Sequence, residues 1–474
     1  MSNPINDISQ SKLIELLITL RPDEFKDLQR FVMSPIHNRR SKVSELINIL
    51  APYYPRFDRQ ELTRQFLHQQ LFKTATFNDL EIRRTMSQLA VVTEDFLAWK
   101  EYNQKPSSVA VHKLSALRKR GLQKHFDKTT RDTQQLLSQQ HTDLNQQLFL
   151  FQFEQEQEAF AEQLGARRST THIQEVSDRL DHFYMANKLK LACTAVSYQQ
   201  VFKHQYDIKL TNEVLALLAQ TEQADPLVNL YRFGLLTMTE PENENHFQKL
   251  KTLLQQDLNI EPKEERNIHV LGQNFCIRNV NRGQQQYFNE LFELYKLGLQ
   301  KGVIQSELSQ FAPAFKNIVS TGLRVRQFDW VESFINTYTE LLDKKNRSDF
   351  RNYNMARLRF DQGRFQEAKT LLQEVRFKDV FITLNARVLL IKTFYELDQL
   401  DLAEHQLRNT QNFVSRQKNL SYHADIFKKN LRFLSKLLRV NLSDAIAVHA
   451  LMQEITNEKS LTEVPWLLSK LEQN

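Results

Sequence analysis

The sequence predicts an all-α fold, and the scarcity of glycine is the first observation that supports it. Nine glycines occur in 474 residues, far below the usual share of about 7%, although tight hairpins and phosphate loops depend on residues that tolerate positive φ. The second observation is that leucines recur at i, i+3, i+4 and i+7, the spacing of an amphipathic helix. A hydrophobic fraction of 41% and a charged fraction of 25% fit a globular chain with a large core.

Residues 1–105 are expected to form a compact N-terminal helical module. A leucine stripe over residues 13–20 predicts the first helix, and Pro22 starts the second at a position where a missing N–H is harmless. A longer helix is predicted from about Asn78. The segment Pro106–Ser108 is expected to be a linker, because proline and serine clusters interrupt helices.

Residues 106–225 are expected to form long, glutamine-rich helices, which could pair as a helical hairpin. Between Pro106 and Pro226 the sequence contains no other proline, and glutamine is a good helix former. Aromatic and leucine side chains from Leu148 to Phe153 supply a packing face. We therefore expect ordinary helices here rather than a low-complexity segment.

Residues 226–474 are expected to form helical hairpins that share a sequence pattern. In the clearest unit, Ala356 lies on the first helix, Gly363 in the turn, and Phe365 and Ala368 on the second helix. Related residues lie 37 positions earlier and 35 positions later, namely Phe328 with Val331 and Leu400 with Ala403. The pattern resembles the tetratricopeptide repeat, whose period is about 34 residues. The resemblance implies hairpins that stack into a superhelix.

The two neighbouring units depart from the tetratricopeptide pattern. Val331 replaces the small residue at the helix crossing, and Arg326-Gln327 and Asp398-Gln399 stand in the glycine turn. Packing there is expected to be looser or differently angled. Taken whole, the chain also resembles helical proteins of Bacteroidota that have Asn-rich and Gly-poor helical pairs. That resemblance brings no activity with it.

The tetratricopeptide resemblance implies a groove lined by the first helix of each pair. The candidates that face it are Lys316, Asn317, Ser320, Arg324, Asn354, Arg357, Asn385 and Lys392. Lys316 and Asn354 lie where the family's carboxylate clamp has Lys and Asn, whereas Ser320 and Leu389 depart from the clamp, so strict specificity for a peptide C-terminus is not expected. The groove is expected to be mildly basic and amide-lined, suited to a protein or peptide segment. The alternative is an ordinary solvated helix face.

The basic excess of the chain suggests a second kind of partner, nucleic acid. Residues 1–131 carry 22 basic and 14 acidic side chains, whereas the remaining residues carry 41 and 42. A basic stripe is formed by Lys113, Arg120, Lys124, Lys128 and Arg131, provided that Gly121 does not break the helix. Such a stripe would follow phosphates with salt-dependent affinity. No nucleic-acid-binding motif accompanies it, and a solvated helix face is the alternative.

No catalytic function, cofactor or metal site is expected from the sequence. It contains no G-x-G, G-x-S-x-G or H-E-x-x-H motif. Cys193 and Cys276 stand alone without metal-ligand spacing, which suits a reducing compartment. The sequence shows neither a secretory-signal pattern nor an apolar run of about 18 residues, so we expect a cytoplasmic protein without a membrane partner.

The sequence thus predicts a non-catalytic scaffold or adaptor that holds a protein or peptide segment in the groove of a helical-repeat superhelix. This expectation rests largely on analogy at the level of the fold. The alternative is a nucleic-acid-associated regulatory protein that uses the basic N-terminal region and the basic stripe.

Overall fold

The protein is all-α, as the sequence predicts. The computed structural model describes residues 8–74, 76–137, 141–165, 172–202, 204–221, 225–305, 311–345, 347–375, 380–417, 423–458 and 461–472. Within these ranges the backbone is helical and contains no extended strand, although Thr142 and Ile260 form an isolated parallel bridge. The bridge is made by two backbone hydrogen bonds, Thr142 N–H to Asn259 O and Glu261 N–H to Thr142 O.

The chain divides into two compact units, which differ from the three regions expected from the sequence. Unit 1 consists of Met1–Gln140 with Leu144–Phe183, and unit 2 consists of His141–Asp143 with Tyr184–Asn474. The boundary at Phe183 falls inside one helix, Ile173–Val201. Proline and glycine punctuation gives no signal for a boundary of that kind, because the helix continues through it.

Unit 1 is built from helices that precede this boundary. They are α1 (Lys12–Leu17), α2 (Pro22–Met33), α3 (Ser41–Leu50), α4 (Arg64–Phe72), α5 (Asp79–Asn103), α6 (Pro106–Arg118), α7 (Gln123–Leu137) and α8 (Leu144–Gln163). The boundary helix is α9 (Ile173–Val201). Pro22 begins α2, and Asn78 caps α5 by accepting the Glu81 N–H, so both predicted helix starts are confirmed.

The core of unit 1 lies where the sequence places its leucine and phenylalanine stripes. Helices α1 to α5 bury one cluster that includes Leu17, Leu28, Ile47 and Phe96. Helices α6 to α8 bury a second cluster, Val111, Leu114, Phe126, Phe149, Phe153 and Phe160. Each fully buried side chain of this size stabilises the fold by about 1.5–3 kcal/mol relative to an exposed one. The glutamine-rich region therefore has an aromatic core.

The predicted linker at Pro106–Ser108 is wrong. These residues form the first turn of α6, and Pro106 occupies the first helical position. The ring of proline fixes a helical φ, and its missing N–H needs no partner in a first turn. The proline therefore marks the start of a helix that packs on α5 and α7.

Unit 2 continues with helices that pack mainly on their neighbours in sequence. They are α10 (Thr211–Gln220), α11 (Pro226–Thr239), α12 (Glu244–Gln255), α13 (Pro262–Asn281), α14 (Tyr287–Gln300), α15 (Phe311–Arg324), α16 (Phe328–Tyr338), α17 (Arg347–Asp361), α18 (Phe365–Glu374), α19 (Val380–Glu396), α20 (Leu400–Arg416), α21 (His423–Arg439), α22 (Ala445–Asn457) and α23 (Val464–Glu472). Alternate helices also touch, so that α11 packs on α13, α15 on α17, and α19 on α21.

Three helical pairs of unit 2 are joined by turns of the same length and conformation. The pairs α15–α16, α17–α18 and α19–α20 each have three residues between their helices. Arg326, Gly363 and Asp398 hold the same place in these turns, with φ of 58°, 76° and 55°. The N–H of the following residue donates to the carbonyl oxygen five residues earlier in all three. Arg326 and Asp398 thus adopt a left-handed conformation that costs a non-glycine residue about 1–2 kcal/mol.

The helix crossing differs between two of these pairs. In α17–α18 the buried residues Ala356 and Ala368 are both small, and the backbones run close together. In α15–α16 the larger Val331 is fully buried, and the backbones approach less closely. A Cβ added to Gly322 would lie 2.4 Å from Val331 Cγ2. Because Gly322 has no side chain, α15 leaves room for the buried side chain of Val331.

Candidate functional site

Three of the predicted groove residues act on the carboxyl group of Asp361, and a fourth, Ser320, is joined to them through Arg357. Arg357 Nη2 donates a hydrogen bond to Ser320 Oγ at 3.0 Å, which joins α17 to α15. The charges of Arg324, Arg357 and Lys392 all act on Asp361. Glu463, which precedes α23, contributes a second carboxylate. We call Arg324, Arg357, Asp361, Lys392 and Glu463 the Asp361 cluster.

The pKa of the Asp361 carboxyl group is raised above its usual value. Loss of solvation raises the pKa of the carboxyl group, whereas Arg357, Lys392 and Arg324 oppose the shift and Glu463 reinforces it. The net pKa is raised in spite of three neighbouring cations. Asp361 is itself exposed, so the carboxyl group lies at the solvent-facing edge of this face.

The other predicted groove residues lie outside the cluster. Lys316 and Asn317 are exposed one turn earlier on α15, and Asn385 is half-buried two turns before Lys392 on α19. Asn354 is buried at 1% exposure, and its amide nitrogen donates to Phe350 O at 2.8 Å. The side chain of Asn354 is therefore not exposed to a ligand, because the face of α17 that enters the core includes the position that the tetratricopeptide resemblance places in the groove.

The C-terminal helix α23 docks on α19 beside the cluster. Lys392 Nζ lies 2.7 Å from Glu463 Oε2. Trp466 Nε1 donates to Glu396 Oε1 at 2.7 Å, and Lys470 Nζ lies 2.8 Å from the same oxygen. The side chains of Lys392, Glu396 and Lys470 are each less than 20% exposed. The docking contacts are thus charged and largely shielded from water.

Aromatic contacts and buried hydrogen bonds also hold α23 and the chain before it in place. The Lys392 ammonium lies 5.0 Å from the centre of the Trp466 ring, which meets Tyr395 edge-on at 5.4 Å. The chain leading into α23 is held by Asn430, which is 2% exposed and exchanges two hydrogen bonds with Thr462. Sequence spacing could not reveal these pairs, because Glu463 lies 71 residues from Lys392.

The predicted basic stripe does not lie on one helix. Its residues divide between Lys113 on α6, Arg120 in the following turn, and Lys124, Lys128 and Arg131 on α7. Gly121 has a φ of 65°, so α6 ends before it and α7 starts at Gln123. Arg120 Nη1 donates to Ala116 O at 2.8 Å, near the end of α6. Only the three exposed cations of α7 share a helix face among these described residues.

A second polar site lies between α18, α19 and α20, and we call it the Arg387 cleft. It encloses about 880 Å³. The Arg387 guanidinium lies 4.4 Å from the centre of the Phe413 ring, and its Nη1 donates to Asn409 O at 3.5 Å. Burial lowers the pKa of Arg387. Arg416 also lines the cleft, and among the described residues it has no hydrogen-bond or ion-pair partner.

Side-chain amides form most of the remaining polar wall of the Arg387 cleft. They are Gln373, Gln406, Asn409, Asn412 and Gln417. Leu372, Ala386 and Leu390 supply apolar surface. The described lining contains two guanidinium groups and no carboxylate. Because an amide offers both a donor and an acceptor, this wall suits a ligand with both kinds of group.

A smaller cleft at α10, α11 and α12 has related chemistry. It encloses about 570 Å³ and is lined by Arg232, Lys249 and Phe233 together with several amides. The Arg232 guanidinium and the Lys249 ammonium lie 5.0 and 5.3 Å from the centre of the Phe233 ring. Burial lowers the pKa of Arg232. As in the Arg387 cleft, the described lining residues include no carboxylate.

A buried polar cluster links α9, α11 and α13. Tyr231 donates its hydroxyl proton to Glu264, and Lys190 Nζ lies 2.8 Å from Glu264 Oε2. Burial and the Glu264 carboxylate raise the pKa of Tyr231. Burial also raises the pKa of Cys193 to about 12 and lowers that of His269 to about 4. Tyr231, Cys193 and His269 are therefore neutral at pH 7, whereas Lys190 and Glu264 form an ion pair beside them.

Metal-binding and membrane-spanning features were sought in the part of the chain that the structure describes. There, no three His, Cys, Asp or Glu side chains approach one another closely enough to hold a metal ion. None of the described helices combines the length and the apolar character needed to cross a bilayer.

Comparison with known proteins identifies no relative of this chain. No family model matches it, no curated protein matches it, and no solved structure matches it. The similarity to tetratricopeptide repeats and to helical proteins of Bacteroidota therefore stays a prediction from the sequence.

Proposed function

We propose that the protein is a non-catalytic scaffold that binds a protein segment along the polar face of α15, α17 and α19. The observation that carries this proposal is the docking of α23. One carboxylate pairs with Lys392, and one tryptophan contacts Glu396 and Tyr395. A helix can therefore dock on this face through a carboxylate and an aromatic ring that donates a hydrogen bond.

The proposed partner segment follows from the contacts of α23. Lys392 requires a carboxylate, because an ammonium group shielded from water is costly without a counter-charge. Glu396 accepts a hydrogen bond from the Trp466 indole and Tyr395 contacts its ring, so an aromatic group that donates a hydrogen bond fits this site. Lys316 and Arg324 extend the face along α15 and are exposed. We therefore propose an acidic, aromatic helical segment as the partner.

The test uses α23 itself as the ligand. A fluorescein-labelled peptide of residues 461–472 is titrated into the full-length double variant Glu463→Gln with Trp466→Ala, and fluorescence anisotropy is recorded. In the wild type, the tethered helix competes at an effective concentration of about millimolar. The variant is expected to bind the peptide at micromolar concentration, whereas the wild type binds it far more weakly.

Two controls make this test specific. A peptide with Gln and Ala at the positions of Glu463 and Trp466 is expected not to bind. Adding Lys392→Glu to the double variant is expected to abolish binding, whereas adding Lys428→Glu, a change at an exposed site on α21, leaves it intact. Equal affinity of wild type and double variant for the peptide, or no binding by either, contradicts the proposal.

A further inference from the structure

We propose that the Arg387 cleft is a second binding site and that it takes an extended acidic protein segment. Its two arginines are the first reason. Arg387 contacts an aromatic ring and one backbone carbonyl oxygen, and Arg416 has no hydrogen-bond or ion-pair partner among the described residues. Carboxylates bind guanidinium groups through paired hydrogen bonds, so they are the groups that these arginines lack.

The contact of Arg387 with Phe413 holds the guanidinium in an orientation suited to binding a carboxylate. Its guanidinium lies against the Phe413 ring, 4.4 Å from the ring centre. Stacking of this kind covers a face of the guanidinium and leaves its N–H edges available. Arg387 thus loses little rotational freedom on binding, which favours affinity.

The wall of amides indicates that the ligand brings a peptide backbone. Five Asn and Gln side chains line the cleft, and each can pair with a main-chain N–H and C=O. Apolar surface from Leu372 and Leu390 lies between them. The volume of about 880 Å³ lies near the upper end of the roughly 300–1,000 Å³ typical of ligand pockets. Several residues of an extended chain therefore fit.

A nucleic acid fits the described lining less well. Single strands bind by stacking bases on exposed aromatic rings. Phe413 is the aromatic residue of the described lining, and the Arg387 guanidinium lies against it. The cleft therefore offers little ring surface to a base.

This cleft is separate from the face proposed to bind a partner helix. Arg387 and Lys392 are five residues apart on α19, which places them about 140° apart around the helix axis. Lys392 contacts α23, whereas Arg387 contacts α20. The inference therefore does not depend on the proposed function of the Lys392 face.

The test is a binding titration with the full-length protein. The probe is a fluorescein-labelled octapeptide of alternating glutamate and leucine, compared with its glutamine analogue and with an eight-nucleotide oligothymidylate. We expect the acidic peptide to bind and the glutamine analogue to bind much more weakly. Arg387→Gln and Arg416→Gln are each expected to weaken binding of the acidic peptide about tenfold.

A matched control lies on the same helix. Arg408 is an exposed residue of α20 that does not line the cleft, so Arg408→Gln is expected to leave the affinity unchanged. Lys392→Glu is also expected to leave it unchanged, which separates this site from the α23 face. Circular dichroism checks that each variant is folded. Because Arg416 is exposed, Arg416→Gln is expected to disturb the fold less than Arg387→Gln does.

Three results would overturn the inference. The first is that the wild-type protein does not bind the acidic peptide. The second is that Arg416→Gln and Arg387→Gln bind it as tightly as Arg408→Gln does. The third is that oligothymidylate binds more tightly than the acidic peptide and loses affinity in the same two variants, which would assign the cleft to nucleic acid.

Discussion

The Asp361 cluster and the Arg387 cleft use similar cations on two faces of α19, but they satisfy those cations differently. In the cluster, Lys392 pairs with Glu463, and Arg357 donates to Ser320. In the cleft, Arg387 rests on a phenylalanine ring, and Arg416 is unpaired among the described residues. The cluster is therefore largely neutralised by its own chain, whereas the cleft keeps its positive charge.

This difference indicates what each set of cations contributes. A cation that is shielded from water and paired supports the local fold, because its removal leaves a partner without a counter-charge. A cation without a partner adds little to stability and is free to bind another molecule. We therefore expect substitutions in the cluster to lower stability as well as binding of the partner helix, and substitutions in the cleft to lower binding with little effect on stability.

The largest stability effect is expected for Trp466→Ala. The substitution removes the hydrogen bond to Glu396 and the ring contacts with Tyr395 and Lys392. Truncation of a packed tryptophan costs about 3–5 kcal/mol, and the lower end applies to this half-buried side chain. Hydrogen exchange of the α23 amides measures the free energy of local opening.

A control at an exposed apolar residue shows whether this loss is specific. Ile446 is 84% exposed at the start of α22, so Ile446→Ala is expected to change the opening free energy of α23 by less than about 0.5 kcal/mol. Unchanged exchange of α23 in Trp466→Ala would mean that the helix is held by other contacts, and the proposed docking mode would fail.

The next effect is expected for Lys392→Met. Methionine replaces the aliphatic stem of lysine but lacks the ammonium group, so it leaves the Glu463 carboxylate without its counter-charge. The Lys392 side chain is 11% exposed, so we expect a loss of about 2 kcal/mol in the opening free energy of α23, below the roughly 3–5 kcal/mol for a fully buried pair.

The matched control for Lys392 is Lys428. Its ammonium lies 4.0 Å from Asp425, and both side chains are more than 60% exposed. Lys428→Met is therefore expected to cost less than about 1 kcal/mol. Equal losses for the two lysines would remove the distinction between shielded and exposed ion pairs.

Local sequence signals predicted much of the fold. Pro22 and Asn78 mark helix starts because capping depends on a few adjacent residues. The turns at Arg326, Gly363 and Asp398 follow the sequence alignment of the three helical pairs. The same local reasoning failed at Pro106, since a helix start and a linker share proline and serine as signals.

The candidate sites were predicted less completely, because they depend on long-range packing. The tetratricopeptide resemblance placed Ser320, Arg357 and Lys392 on one groove face, and the structure brings them to the Asp361 cluster or into contact with it. Spacing could not show that Asn354 turns into the core or that Glu463 reaches Lys392. The Arg387 cleft was missed because its arginines belong to separate helices, and neither belongs to a recognisable motif.

A smaller effect on stability is expected for Arg387→Gln. The substitution removes the cation–π contact with Phe413, which is worth about 0.5–1 kcal/mol at a partly exposed site. The opening free energy of the α20 amides, measured by hydrogen exchange, is therefore expected to fall by no more than about 1 kcal/mol. A loss as large as that of Lys392→Met would show that Arg387 is a structural residue and weaken the case for a binding cleft.

The smallest effect is expected for Asp361→Asn, and it depends on pH. Because the pKa of Asp361 is raised in the folded protein, the unfolded chain releases this proton at a lower pH than the folded chain. In the window above the usual aspartate value of 3.8, the unfolded state binds fewer protons, so the Asp361 contribution to stability falls as pH rises. Asparagine does not ionise, so the Asp361→Asn variant does not lose stability in this way as the pH rises.

The stability of the Asp361→Asn variant relative to wild type is therefore expected to increase between pH 4 and pH 7, measured as the difference in urea midpoint. All other ionisable groups are common to both proteins, so their pH dependence largely cancels in the difference. A difference that shrinks as pH rises would mean that Arg324, Arg357 and Lys392 outweigh the loss of solvation. Asp361 would then be a favourable ion-pair partner of these cations. The cluster would differ still more from the Arg387 cleft, whose described lining contains no carboxylate.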